Sequence, residues 1–474
     1  MRIGKRLIGA FASIVVLTSG SCKTPQQSVE QGGSAELADA TGVGGPLDNR
    51  DPSVGGAKGS SDPAVPGNRP RFVLKADFPD TPDFKTAPPP KPDIATMRAG
   101  GDAARRAALA YAIAIQNYAY EDMATQDRRS PDRNWRLNNP RATTASKRWY
   151  HMPWLHTVNY SNERPGRGRE AIWGLTRELD LRGPLHPDGW PKVLGRECIA
   201  QNWGLGFFNE PGGYSIGRVF PTGNRIDPSQ GVFPVDTVSV KILFTAATPA
   251  QIPDIDGAWQ INANVNAGGA CIQRGSPEVR RITRMRHLQM DIMQKFGPGR
   301  DDWIFVAYVY DKGSKDSTSG WNHDPARGIF WQGMVPNGVQ FGPRENETIS
   351  ISELSTAPRS KRTLPTNGLK GRLNGPADNP MSSCLSCHAR AQWPELATSR
   401  LPFAPRDESD SAIICLLHDW GGEGTPGCPP CRNRNDCIPA GTSPVAPSSV
   451  TMDYSLQFPL ALRNRSMLSG ARAQ

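Results

Sequence analysis

Beyond its first twenty residues the sequence has no apolar run long enough to cross a bilayer, which limits later membrane contact to a surface or an anchor. It has no dense Lys/Arg block, and this excludes the basic arm of a nucleic-acid-binding chain. A nucleophile elbow, a His-Glu-x-x-His run and a phosphate-cradling glycine loop are all missing, so the common hydrolase, zinc-protease and nucleotide-enzyme signatures do not apply. Histidine is scarce, at seven residues in 474. The formal charge of +10 falls by three to +7 once Arg2, Lys5 and Arg6 are set aside. An excess of that size reads as a solvated, mildly basic surface or as attraction to an acidic partner.

What is present is Cys384-Leu385-Ser386-Cys387-His388. A Cys-x-x-Cys-His run is what covalent attachment of a c-type haem requires: the thiols add across the two vinyl groups, and the adjacent histidine is held under the iron. With nine Cys and seven His in the chain, the pattern arises by chance roughly 0.003 times per chain of this length, too rarely for chance to explain it. The competing reading joins Cys384 and Cys387 to Cys428 and Cys431 as a four-thiolate zinc site. The separation of the two pairs exceeds the usual ribbon spacing, and zinc gives His388 no role. The expectation is therefore one covalent haem c, with Cys384 and Cys387 as thioether positions and His388 as proximal iron ligand. For the distal position His151, His156 and Met452 are candidates, with His323, His418 and Met381 behind them. The strand-like neighbours of Met452 favour packing for that residue. Arg372 and Arg390 flank the motif and suit either haem propionates or an ordinary surface role.

The chain opens like an exported protein. Arg2, Lys5 and Arg6 form a positive start, Leu7 to Leu17 an apolar core, and small residues from Thr18 to Ser21 precede Cys22. Residues 1–22 are read as a lipoprotein-like signal peptide with lipidation at Cys22, although Ser19 stands where such signals usually carry Leu or Val; cleavage without lipid is the alternative. The predicted location is the periplasm, the outer membrane or the cell surface, with any membrane attachment made through the lipid. Residues 23–92, rich in Gly, Pro, Ser and Asp, read as a disordered tether. Six further cysteines, Cys198, Cys271, Cys415, Cys428, Cys431 and Cys437, allow three disulfides in an oxidising compartment. Their pairing stays open among fifteen connectivities. Cys428-Pro429-Pro430-Cys431, in a Cys-rich loop at about 405–440, reads as a structural staple rather than a redox dithiol.

Residues 93–474 read as a single domain, mainly β with an N-terminal helix, in which an elaborated antiparallel sheet carries the haem motif late in the chain. Apolar spacing predicts a helix between about Asp93 and Asp127, broken at Gly100-Gly101. Alternation predicts strands around Val238–Phe244, Leu288–Ile292, Trp303–Tyr310, Gly328–Trp331 and Met452–Phe458. Gly297-Pro298-Gly299 reads as a hairpin turn. Trp149 to His156 is either an aromatic loop under the sheet or a wall of the haem pocket.

The segments Tyr150–Trp154, Gly174–Thr176, Gln201–Trp203, Gly212–Tyr214, Arg372–Pro376 and Ser383–His388 together resemble a group of uncharacterised exported bacterial monohaem cytochrome c proteins. A weaker resemblance, through Phe233-Pro234, the Trp303 strand and the Cys-x-x-Cys-His run, is to the β-sheet monohaem cytochromes: cytochrome c-prime-beta and its hydroxylamine-oxidising relatives. This implies an antiparallel sheet over a haem with an open or weakly filled sixth position. Lys241 is the nearest candidate for the lysine cross-link of the oxidising members, and a solvent-facing strand lysine is the plainer reading. Three functions follow as expectations. The chain is an electron carrier serving a redox partner protein or a small-molecule donor or acceptor, a haem oxidoreductase or gas binder with an open distal site, or a cell-surface interaction lipoprotein with a structural metal. Electron transfer ranks first because it requires nothing beyond the motif.

Overall fold

The computed structural model of the chain describes residues 78–120, 149–153, 155, 175–178, 181–182, 198–221, 226–258, 260–265, 272–273, 281–311, 333–342, 348–354, 367–368, 371–378, 383–394 and 449–472. The readings placed on Cys22, His156, His323, His418, Met381, Gly328–Trp331 and the Cys-rich loop lie outside these residues. All described residues belong to one compact unit, residues 46–474.

The chain is mixed α+β, with an antiparallel sheet as its main body. In chain order the strands are β1 (Leu175–Arg177), β2 (Leu181–Arg182), β3 (Cys198–Ala200), β4 (Asn202–Phe208), β5 (Val238–Thr245), β6 (Gln260–Val265) and β7 (Ile272–Gln273). They continue as β8 (Arg281–Lys295), β9 (Trp303–Tyr310), β10 (Met334–Phe341), β11 (Ile349–Ser352), β12 (Gln392–Trp393) and β13 (Val450–Thr451). The eight-stranded sheet runs β1-β4-β5-β8-β9-β10-β11, with β6 pairing to β8. β2, β3 and β7 form a small sheet, and β12 pairs with β13.

Period-two alternation divides the large sheet into two faces. Val238, Val240, Ile242 and Phe244 of β5, with Ile304, Val306 and Tyr308 of β9, belong to one apolar cluster. Two helices contribute to that cluster, α1 (Ile94–Ala99) and α2 (Gly101–Tyr120). Gly100 and Gly101 divide them at φ values of 81° and 71°, a left-handed pair that a side chain would resist. α2 buries Ala108, Tyr111, Ala112, Ile115 and Ala119 at helical spacing. Tyr308 locks the contact by donating its hydroxyl to the Ala112 carbonyl at 2.7 Å.

The opposite face supports a second cluster, around Phe208, Met293, Trp303 and Phe305. Residues of α3 (Glu210–Val219), α4 (Cys384–His388) and α5 (Gln457–Arg472) pack into it. α3 starts at Asn209, whose side chain accepts from Gly212 N, with Pro211 in the first turn where its missing N–H leaves nothing unpaired.

Several elements differ from the sequence expectation for identifiable reasons. Met452–Phe458 is not a strand: after β13 the chain turns through Asp453 and Tyr454, at φ 43° and 67°, and enters α5 at Gln457. The apparent alternation came from a turn whose side chains are nearly all buried, and Pro459 sits in the first turn of a helix, where proline is tolerated. β10 contains Pro336 and Gly338, which argue against a strand; the pairing with β9 shifts register between those two residues, so the proline sits at a bulge. β4 contains Gly204, where a Cβ would lie 2.7 Å from Glu178 Oε1 and 2.9 Å from Lys241 Cε, so the weak strand former is there for close packing. Residues 78–92, assigned to the tether, are docked onto the domain. The backbone N–H groups of Lys85 and Thr86 donate to Glu210 Oε2 at 2.7 and 2.9 Å, and Phe78 packs 5.7 Å from Tyr150.

Candidate functional site

α4 places Cys384, Cys387 and His388 three and four residues apart, on one side of a single helical turn. Its docking is set by backbone and by the sheet. Cys384 N donates to the Leu373 carbonyl at 3.1 Å, and Leu385 N donates to Gln340 Oε1, on β10, at 2.9 Å. Neither Cys384 nor Cys387 forms a disulfide. The fully buried Gln340 side chain leaves its Nε2 without a hydrogen-bond partner beside this helix.

His388 is oriented from both sides. Its ring lies 5.1 Å from that of Phe305, and its Nδ1 is 2.8 Å from the Tyr454 carbonyl oxygen. A carbonyl can only accept, so Nδ1 carries the proton and donates it, leaving the Nε2 lone pair for a metal. Burial pushes the His388 pKa down to about 4; the Tyr454 carbonyl opposes the shift and the positive charge of Lys241 adds to it. The imidazole is neutral at physiological pH, as a metal ligand must be.

The sheet face beside α4 carries charge. Lys241 Nζ lies 2.7 Å from Glu178 Oε2, and Lys241 and Asp291 are register partners in the β5–β8 ladder. Gln289 Nε2 donates to both oxygens of Asp291, at 2.9 and 2.7 Å, and to Asp378 Oδ2 at 2.7 Å, while Gln289 Oε1 accepts from Ala377 N. Burial raises the pKa of Asp291 well above the usual carboxylate range, and the negative charge of Asp378 adds to the shift. Asp378 is raised as well, again chiefly by burial. Burial acts to lower Lys241, but Glu178, with Asp378 and Asp291, reverses the balance and holds the amine above its ordinary value. The Cys384 thiol is pushed well above its usual range by burial, then by Asp291 and Asp378.

Lys241, Asp291, Asp378, Cys384, Cys387 and His388 all keep part of their surface accessible. Yet burial is the largest influence on the Lys241, Asp291, Asp378, Cys384 and His388 pKa values. These side chains are therefore half-buried beside α4 rather than on an open surface. The donor set fits a haem: two half-buried thiols and a neutral, pre-oriented imidazole on one turn, with the Phe305 ring against that imidazole. The neutral state imposed on Cys384 is one a thioether shares and a zinc thiolate does not. Among the described residues no three or more His, Cys, Asp or Glu side chains converge as a metal cage; a haem iron takes only His388 from this turn.

Of the distal candidates, His151 and Met452 lie among the described residues. His151 is buried, its Nδ1 3.4 Å from the Gly206 carbonyl. Met452 is fully buried in the second cluster. It lies two residues before Tyr454 in the chain. Asp291 and Gln289 were missed because alternation along β8 reads them as solvent-facing, and Asp378 because it sits in a loop-like lead-in to the motif; the pairing of Asp291 with Lys241 appears only once β5 and β8 are in register. Tyr454 was missed with the turn that carries it.

Two predictions arise here. A Cβ on Gly375 would lie 2.0–2.1 Å from the amide atoms of Gln289, which four hydrogen bonds hold in place. Gly375→Ala is expected to destabilise the fold by about 1–3 kcal/mol through overpacking, read from the denaturant midpoint. Because the folded state raises the Asp291 pKa above its unfolded value of about 3.9, the folded protein binds more protons above that pH. Stability from this group is therefore present at low pH and lost as pH rises. Asp291→Asn is expected to flatten the decline in unfolding midpoint between pH 5 and 8; an unchanged slope would contradict the raised carboxyl.

No protein-family description matches the chain, and no solved structure is similar to it. One curated protein, the Transcription factor BIM1 of Arabidopsis thaliana, is 38% identical over 63 residues, 11% of this chain. The match spans only 12% of that protein's length. No described helix is long and apolar enough to cross a membrane.

Proposed function

We propose that the chain is an exported monohaem c-type cytochrome, of the uncharacterised bacterial group it resembles, and that it transfers electrons to or from a redox partner. The observation that carries this reading is the α4 turn, where two thiols outside any disulfide and a neutral imidazole with its Nδ1 proton engaged by Tyr454 present the donor set of a covalent haem. Cys384 and Cys387 would hold the group by thioethers and His388 by its Nε2. Bound there, the haem would supply a one-electron ferric–ferrous couple. Phe305 packs against the His388 ring, and burial keeps the imidazole from competing protonation. Export with a lipid at Cys22 would place the protein in the periplasm or at the outer membrane.

A second reading, a haem-dependent oxidoreductase or ligand binder for small molecules, is favoured by the charged side chains on the sheet face beside α4. Lys241, Asp291 and Asp378 provide groups able to hold or move a proton beside α4. Optical spectra of the protein matured with periplasmic haem-attachment machinery separate the two. A sharp reduced band indifferent to carbon monoxide supports electron transfer; a reduced spectrum that shifts at once supports an open site. Absence of covalent haem overturns both.

A further inference from the structure

The deepest ion pair among the described residues lies at the turn that contains Tyr454. Lys295 and Asp453 each expose only 2% of their side chain and meet at 2.9 Å. Asp453 is saturated: Lys295 Nζ donates to both oxygens, Trp303 Nε1 donates to Oδ1 at 3.0 Å, and Phe233 N donates to Oδ2 at 2.7 Å. Lys295 is saturated too, its third donor reaching the Gly299 carbonyl at 3.1 Å. Desolvating two charges this fully costs several kcal/mol each, so the arrangement is a poor source of stability by itself. What it fixes is backbone. Asp453 and the adjacent Tyr454 both hold left-handed φ values, 43° and 67°, which a non-glycine residue keeps only when its surroundings enforce them. The carbonyl of that strained Tyr454 is the one that accepts the His388 Nδ1 proton.

From this geometry we propose that Asp453, neutralised by Lys295, is a positioning residue for His388: it clamps the turn that aims the Tyr454 carbonyl at Nδ1, and so sets the orientation and donor strength of the proximal imidazole. The inference rests on His388 being the iron ligand. Outer partners of a metal-bound histidine typically change metal affinity or activity by about 10–100-fold, and this clamp acts one step further out.

The test uses the full chain, matured with haem. Asp453→Asn should keep covalent haem at the wild-type level, because Cys384 and Cys387 are untouched. Added imidazole should replace His388 about 10–100-fold more readily, and the midpoint potential should rise, since a weaker donor stabilises the ferric state less. Tyr308→Phe, which removes the hydroxyl bond to the Ala112 carbonyl on the opposite face of the sheet, should lower stability and leave both readouts at wild type. Full haem content with unchanged imidazole exchange and potential in Asp453→Asn overturns the proposal. Should that variant not fold, Trp303→Phe removes one donor to Asp453 and must move both readouts in the same direction by less; no movement overturns it. If the wild-type chain carries no haem, the cytochrome reading fails separately. The clamp is then read by nitrogen NMR of haem-free protein, as a single Nδ1–H tautomer of His388 that becomes mixed in Asp453→Asn; an unmixed tautomer overturns it.

Discussion

With Cys384 and Cys387 both replaced by alanine, the matured protein is expected to go from one covalent haem per chain to none, while remaining folded. Alanine has no sulfur to add across a vinyl group, so the loss is complete rather than graded. The fold should survive because both cysteines keep accessible surface and alanine is the best helix former available for the α4 turn. The docking bonds of that turn, from Cys384 N to Leu373 O and from Leu385 N to Gln340 Oε1, are made by backbone donors that the substitutions retain. His388→Ala separates attachment from ligation: thioethers form, but the iron loses its strong protein ligand and the spectrum should become that of a weakly ligated haem. Haem stain after denaturing electrophoresis reads the first effect, and the optical spectrum the second. Retention of covalent haem in the double variant would contradict the assignment of both cysteines.

The second large effect falls on stability. Asp453→Ala leaves Lys295 charged, 2% exposed and without its counter-ion, a change expected to cost about 3–5 kcal/mol. It also strips acceptors from Trp303 Nε1 and Phe233 N, each a buried donor whose orphaning is worth about 1–3 kcal/mol where no water replaces the partner. Removing both charges, by Lys295→Met with Asp453→Leu, should recover part of the loss and leave the share due to Trp303 and Phe233. A double-mutant cycle on denaturant midpoints measures the coupling. If the single and double variants lose equal stability, the pair is not the coupled buried unit that the distances describe.

Where sequence and structure agree, local pattern and burial coincide. β5, β9 and the Gly100-Gly101 break were legible because alternation, helical spacing and glycine each act over a few residues. β4 and β10 were not, because Gly204 and the bulged Pro336 answer to neighbours distant in sequence, Glu178, Lys241 and β9. The site divides the same way. Cys384, Cys387 and His388 announce themselves by spacing alone. The groups that tune them, Tyr454, Asp453, Lys295, Asp291 and Asp378, come from three other segments that only folding brings together. Met452–Phe458 shows the cost of reading alternation without context: burial on both sides of a turn imitates a strand, and the carbonyl that orients His388 was hidden inside it.

The most direct test of the central claim is the intact mass of the full chain after maturation in a periplasm with haem-attachment machinery, followed by fragmentation. The account predicts a gain of one haem, borne on the peptide that contains Cys384 and Cys387 and lost from no other. An unmodified mass, or a chain that takes up zinc through those thiols instead, would contradict it.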